Sequence, residues 1–214
     1  MKKGTNLNKT LYAFIKRLFD IMIGLIGCAV LLPIILIVKL ACLISGDHES
    51  IFFVQKRIGI NGKEFKFYKF RSMVPNADEI LFKLLHEDKA AAAEYKKFKK
   101  LKNDPRITKV GKILRRTSLD ELPQFINVLN GTMSLIGNRP YLPREKQDMG
   151  ESFDEIVKTK PGITGYWQVS GKENSSFEKR LEMESYYSNN ANVLLDIKIF
   201  FGTFKAVLFG HGAE

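Results

Sequence analysis

From Ile21 to Val38 the chain runs without a charged side chain. As a helix such a run is long enough for a bilayer core of about 30 Å. Pro33 lies inside it, removing a backbone donor and crowding the preceding turn, so a kink or break is expected there. Both flanks are basic: Lys2, Lys3, Lys9, Lys16 and Arg17 come before, with no acid until Asp20, and Lys39 follows. Lys- and Arg-rich flanks favour the cytoplasmic side, so both ends of the run prefer the same membrane face. A helix that dips in, breaks at Pro33 and returns meets that preference. A straight span and a buried helix of a soluble core are the competing readings. The run does not read as a cleavable signal, because Lys39 leads straight back into apolar Ala41–Ile44. Asp20 follows Lys16 and Arg17 at helical spacing and is expected to pair with them locally.

The length of 214 residues suits a domain plus an anchor. The division expected is 1–46 as the membrane-anchoring segment and 47–214 as the domain. An apolar fraction of 45% with 7 Pro and 16 Gly excludes a disordered or collagen-like chain. His48, His86 and His211 have no ligand spacing to one another or to a cysteine, which argues against a His/Cys metal cluster. Cys28 and Cys42 fall in the apolar stretch and read as small buried or lipid-facing side chains. With 34 Lys and Arg against 23 Asp and Glu, the net charge is +11. That excess asks for a polyanionic partner: nucleic acid, anionic lipid or a phosphorylated substrate.

Residues 51–73 read as a β-hairpin turning at Asn61-Gly62. On its second strand Phe65, Phe67, Lys69 and Arg71 share a face, so the two cations either point at an anion beside a core or end a solvated strand. Residues 76–101 are helical and charged, without an evident chemical task. Ile107–Arg116 reads as a short basic helix. Ser118 and Glu121 have the spacing of a capping box, which predicts a helix from Leu119 to the Asn130-Gly131 stop with Asp120 in its first turn. Met133–Ile136 reads as a buried strand, and the Gly137-Asn138-Arg139-Pro140 turn presents an arginine suited to phosphate. Val193, Ile197, Phe200, Phe204 and Val207/Leu208 form a helical stripe for a core or a membrane surface. There is no internal repeat.

Several strings together resemble the bacterial sugar transferases, the monotopic phosphoglycosyl transferases. They are Lys16-Arg17-Leu18-Phe19-Asp20, Tyr68-Lys69-Phe70-Arg71-Ser72-Met73, Asp104-Pro105-Arg106-Ile107-Thr108 and Ser118-Leu119-Asp120-Glu121-Leu122-Pro123-Gln124. Met133–Gly137, Pro161–Gln168, Ser170-Gly171-Lys172 and Leu195-Asp196-Ile197-Lys198 complete the set, in order along nearly the whole chain. The 76–101 insertion and the closing 209–213 segment are most similar to the galactose-phosphate-transferring branch. Two positions depart from the family pattern. Asn138 stands where Gly-Pro-Arg-Pro is usual, which predicts a less rigid loop, and Lys172 stands where Arg is usual, which loses bidentate geometry.

The resemblance implies transfer of a sugar-1-phosphate from a UDP-sugar to a polyprenyl phosphate, releasing UMP, through a covalent phosphosugar on Asp120. The implied fold is α+β: a re-entrant membrane helix broken at Pro33, a β-hairpin, and a small, mainly helical catalytic domain with amphipathic interfacial helices. The implied place is the cytoplasmic face of the inner membrane. A carboxylate is already ionised at neutral pH and needs no base to attack phosphorus. Its difficulty is repulsion, about 4 kcal/mol per unit charge pair at ~4 Å and an effective dielectric near 20. Neutralising the phosphates is therefore the main catalytic task. Mg²⁺ is the implied cofactor, with Asp120 and Glu121 as its ligands; Glu121 is alternatively only the capping partner of Ser118. Lys69, Arg71, Arg106, Arg139 and Gln168 are the implied substrate-binding residues, with Arg115 and Arg116 as further cations. The implied partners are UDP-sugar, polyprenyl phosphate and membrane lipid, with a homo-oligomer left open. A membrane-tethered nucleic-acid binder lacks a reading motif here, and a non-catalytic scaffold leaves Asp120, Glu121 and Arg139 without a purpose.

Overall fold

The computed structural model of the protein describes residues 3–98, 101–170 and 176–208. In chain order the elements are α1 (Lys3–Ile44), β1 (Phe52–Ile58), β2 (Glu64–Phe70), α2 (Ala77–Glu87), α3 (Lys89–Phe98), α4 (Lys109–Arg116) and α5 (Gln124–Leu129). They continue with β3 (Ser134–Ile136), α6 (Lys146–Met149), α7 (Ser152–Ile156), β4 (Gly162–Thr164), α8 (Tyr166–Val169), α9 (Phe177–Asn190) and α10 (Val193–Leu208). The class is α+β, as the sequence implies. β1 and β2 form the expected antiparallel hairpin, with Phe53 opposite Lys69 and Arg57 opposite Phe65. Asn61 and Gly62 take positive φ at its turn. β3 and β4 pair in parallel.

α1 is a single 42-residue helix with Pro33 inside it. The break expected at Pro33 does not divide the element. Proline costs the helix one hydrogen bond, but Leu31 before it and Ile34, Ile35, Val38 and Cys42 after it all enter one cluster with Ile51, Phe70 and Leu114. Tertiary contacts on both sides of the proline carry the helix through. Asp20, Gly24, Gly27, Leu31, Val38 and Cys42 are its buried residues, and they recur at the helical period on one face. Gly27 permits the close approach to α5, since a Cβ there would stand 2.3 Å from the Phe125 ring. The outer face is apolar and bare, with Leu25, Leu32, Leu36 and Ile44 among its exposed residues. That face gives the helix the length and composition for membrane insertion.

Both ends of α1 are tied to the same body. Near its start, Tyr12 Oη and Lys16 Nζ bond Asp196 Oδ2 of α10 at 2.9 and 2.7 Å. Just past its end, Asp47 takes a bidentate pair from Arg71 at 2.7 and 2.8 Å. The local pairing expected for Asp20 is replaced by tertiary bonds. Asp20 accepts from Ser134 Oγ at 2.9 Å and from the Leu135 N–H at 2.8 Å. Arg17 instead donates to the Val128 and Leu129 carbonyls, both at 2.7 Å, where the end of α5 leaves acceptors unpaired.

The stripe expected on the last helix is split by the structure. Ile199 is the buried apolar residue of α10 and Phe200 stacks edge-on against Phe19 at 5.3 Å. Leu194, Ile197, Phe201 and Phe204 face outward. Asp196 takes the inner position because Tyr12, Lys16 and Tyr187 all donate to it.

Candidate active site

Asp120 and Glu121 lie on a short 3-10 turn, Leu119–Glu121, rather than in the first turn of an α-helix. The expected capping box is absent. Ser118 adopts φ +55, in the left-handed region, and its side chain makes no cap. A non-glycine residue there carries backbone strain, and the turn it creates directs both acids toward the hairpin. Lys69 Nζ meets Asp120 Oδ2 at 3.1 Å and Glu121 Oε1 at 2.8 Å. Glu121 is therefore released from capping and joins the charged group. Asp120 Oδ1 has no hydrogen-bond donor among the described residues.

Asn127, which sequence reasoning passed over, brings these residues together. Its amide donates to the Lys66 carbonyl at 2.6 Å and accepts from the Tyr68 N–H at 3.1 Å. α5 is thereby fixed to β2 like an added strand residue, and Asp120 meets Lys69 as a consequence. An Asn in the first α5 turns facing a strand edge leaves no distinctive sequence pattern.

Burial, more than any other influence, raises the Asp120 carboxyl above the ordinary aspartate range; Lys69 pulls it back, Glu121 pushes it further up, and Arg115 also lowers it. For Lys69, burial favours the neutral amine, but the charges of Glu121 and Asp120 outweigh it and leave the ammonium above the usual lysine value. Lys69 is thus the group that most opposes burial in favouring the ionised form of Asp120. Arg115 extends from α4, bonding Ser72 Oγ through Nε at 2.9 Å. Arg106 is held bidentately by Asp104, at 2.8 and 2.6 Å, and stands close enough to Arg115 to disfavour its charge. Arg71 is largely engaged: besides Asp47, its Nε reaches the Ser50 carbonyl at 2.6 Å and its Nη1 the Met73 carbonyl at 3.0 Å. It staples the end of α1 to β2 and keeps one Nη1 N–H of its five donors.

A second cationic group adjoins the first through one ring. Lys69 Nζ lies 5.9 Å from the centroid of Phe67, and the Arg57 guanidinium lies 5.2 Å from it. Beyond Arg57 come Arg139 and Arg180, the latter stacked on Trp167 at 4.0 Å. The Nε atoms of all three arginines are shielded from water and lack a hydrogen-bond partner among the described residues. Glu184 lies beside Arg139 and Arg180, 2% exposed, accepting the Arg139 N–H at 3.2 Å through Oε1. Burial pushes its carboxyl up to about 7 against the opposing pull of Arg139 and Arg180. Arg57 and Arg180 are contributors the sequence did not reveal, because a lone arginine on a strand or helix is ordinary until the fold collects three. Gln168 sits half-buried on α8 beside Trp167, with no described hydrogen bond to the acids. Lys172 lies outside the described residues.

The loop bearing Arg139 is not loosened by Asn138. The Asn138 amide donates to Ser188 Oγ at 2.6 Å and its carbonyl accepts the Gly162 N–H at 2.8 Å. A buried side-chain amide does here what a proline ring would do through the backbone.

Among the described residues no group of three His, Cys, Asp or Glu could hold a metal alone. The donors present nevertheless suit Mg²⁺ shared with a nucleotide, which takes only one or two carboxylates from the protein. Glu121, with 38% of its side chain exposed against 9% for Asp120, is the acid able to turn outward while Lys69 keeps Asp120.

The acid pair and its lysine lie in the strings quoted above, and a family model described as bacterial sugar transferase matches residues 11–210. The chain belongs to the bacterial sugar transferase family. This sugar transferase is 44% identical over 211 residues to the undecaprenyl-phosphate galactose phosphotransferase of Salmonella typhimurium (strain LT2), across 97% of the chain and 43% of that protein. It is 38% identical over 198 residues to the exopolysaccharide production protein ExoY of Sinorhizobium fredii (strain NBRC 101917 / NGR234), across 92% of the chain and 87% of that protein. It is 38% identical over 197 residues to the UDP-glucose:undecaprenyl-phosphate glucose-1-phosphate transferase of Escherichia coli (strain K12), across 88% and 39%. The sugar transferase chain thus spans less than half of the first and third of these relatives and most of the second.

Proposed function

We propose that the chain transfers a hexose-1-phosphate from a UDP-sugar to undecaprenyl or a related polyprenyl phosphate at the cytoplasmic face of the membrane, releasing UMP. The observation that carries this reading is Asp120: a buried carboxylate with one oxygen held by Lys69 and the other without a donor among the described residues. In the first half-reaction Oδ1 attacks the sugar-bearing phosphorus of the donor. The P–O bond to the nucleotide breaks, and UMP leaves with that electron pair. In the second, an oxygen of the polyprenyl phosphate attacks the same phosphorus and Asp120 departs as carboxylate. Neither step needs a general base, because both nucleophiles are already anions.

Lys69 and Arg115 offset the repulsion between Asp120 and the incoming phosphate. Arg57, Arg139 and Arg180 offer unpartnered donors for the donor diphosphate or its nucleotide, with Gln168 beside them on α8. Glu121, together with substrate phosphate oxygens, would hold Mg²⁺, which when bound shields the diphosphate charge. The printed names of the Salmonella and Escherichia relatives support galactose-1-phosphate or glucose-1-phosphate as the transferred group. The name of the Sinorhizobium relative supports a place in exopolysaccharide production.

The test uses the full chain in nanodiscs with UDP-galactose or UDP-glucose and no lipid acceptor. Peptide mass spectrometry should find a hexose phosphate on the peptide containing Asp120. Asp120→Asn should abolish the adduct and lower UMP release on the order of 10³-fold or more. An adduct-free wild type together with an active Asp120→Asn variant would refute the covalent route.

A further inference from the structure

Helix α9 turns one face toward the loop that carries Arg139. Arg180, Glu184 and Ser188 follow one another at four-residue spacing and so lie on one side of the helix. Arg180 and Glu184 are buried and Ser188 is half-buried. Two of the three hold the loop. Ser188 Oγ accepts from the Asn138 amide at 2.6 Å, and Glu184 Oε1 accepts from the Arg139 N–H at 3.2 Å. The third, Arg180, is itself one of the arginines gathered near Arg139.

The loop is fastened residue by residue. The Asn138 side chain is buried, and its amide nitrogen also stands 3.2 Å from the Ile156 carbonyl and 3.3 Å from Thr159 Oγ1. From β1, Arg57 Nη1 donates to the Pro140 carbonyl at 2.9 Å, and the Ile58 N–H donates to the Tyr141 carbonyl at 2.8 Å. Residues 138–141 are therefore all held, the first two by α9 and the last two by β1. The Arg139 Nε, in contrast, has no hydrogen-bond partner among the described residues. The aim of its guanidinium thus depends on the backbone that carries it. An arginine grips phosphate through a fixed fork of donors, so a small swing of that backbone spoils the grip.

We propose that Asn138 and Ser188 are a positioning pair for donor binding: their hydrogen bond locks Arg139 to the helix bearing Arg180, so that both guanidinium groups meet one nucleoside diphosphate. The inference rests on the donor-binding role given above to Arg139 and Arg180. Asn138 stands where proline is usual in the family pattern. A proline ring restricts the backbone by itself. Asparagine does so only through partners, and Ser188 is the nearest of the three. Donor affinity in this chain therefore depends on a hydroxyl 50 residues away from the loop it holds.

The experiment is steady-state UMP release by the full chain in nanodiscs, with polyprenyl phosphate and UDP-galactose or UDP-glucose, whichever the wild type turns over. Asn138→Ala and Ser188→Ala should each raise the donor KM about tenfold and leave kcat within about twofold. The double variant should be no worse than Asn138→Ala, because both changes remove one shared contact. Asn138→Pro placed in the Ser188→Ala chain should return KM close to the wild-type value, since the ring then restricts what the hydrogen bond no longer holds. Should Asn138→Ala fail to fold, Ser188→Ala with and without Asn138→Pro decides alone. An unchanged KM in Ser188→Ala, effects that add in the double variant, no recovery with proline, or a loss confined to kcat overturns the positioning pair. A wild type that releases no UMP from either UDP-sugar would instead overturn the donor reading beneath it.

Discussion

On one side of the Phe67 ring, a single lysine faces two carboxylates at 3.1 and 2.8 Å. On the other, Glu184 lies beside Arg139 and Arg180, and Glu145 beside Arg57 and Arg180. The first group is locally anionic; the second holds more positive than negative charge, and the Nε donors of its three arginines have no partner among the described residues. Buried donors without partners are costly, so a fold that keeps several in one place is arranged for an anion that arrives later. A carboxylate already held by a lysine is arranged to react. On the proposed function, the reacting acid belongs to the Asp120 side and the grip on the diphosphate to the Arg139 side.

The sharpest way to break this contrast is Lys69→Met. If Lys69 keeps Asp120 ionised and shields the phosphate, kcat should fall about a hundredfold or more. The acid limb of the kcat profile should also move to higher pH, because burial then raises the Asp120 carboxyl with only Arg115 opposing it. Lys69→Arg should restore part of the rate; an unshifted pH profile would leave Lys69 with a structural role only. A smaller effect is expected on the gripping side. Arg57→Gln and Arg139→Gln should each raise the donor KM about tenfold to a hundredfold while changing kcat far less. A loss confined to kcat would reverse the two assignments.

The smallest effect concerns Glu184. Unfolded, its carboxyl titrates in the ordinary glutamate range; folded, it titrates at about 7. Its contribution to stability is thus fully present below the unfolded value and is lost as pH rises through 7. Denaturation of the wild type in nanodiscs should therefore become easier between pH 5 and about 8. Glu184→Gln should flatten that slope, by about 3 kcal/mol at most across the window. Identical slopes would mean that the arginines already hold Glu184 ionised.

Much of the fold could be read from the chain. The hairpin shows itself because Asn61-Gly62 can take positive φ at a tight turn. α4 follows from Thr108 and its basic period, and α1 from its uncharged run. The errors share a cause. Asp20 was expected to pair locally with Lys16 and Arg17, yet each of the three found a partner more than a hundred residues away. Arg71 looked like a phosphate ligand until Asp47 claimed it. Ser118 and Glu121 had the spacing of a cap, but the left-handed φ at Ser118 turned the acid toward Lys69 instead. Spacing reports which groups are neighbours along a helix. It does not report which distant group will compete for them.

The sequence by itself determined the anchor, the hairpin, the adjacent acids and the family, because those depend on local propensity, apolar periodicity and contiguous strings. Only the tertiary structure decided that α1 passes unbroken through Pro33, that Asp120 faces Lys69, and that Arg57 and Arg180 gather near Arg139. Each of those outcomes depends on side chains far apart in the chain competing for the same buried partner, and that competition is settled only when the core closes.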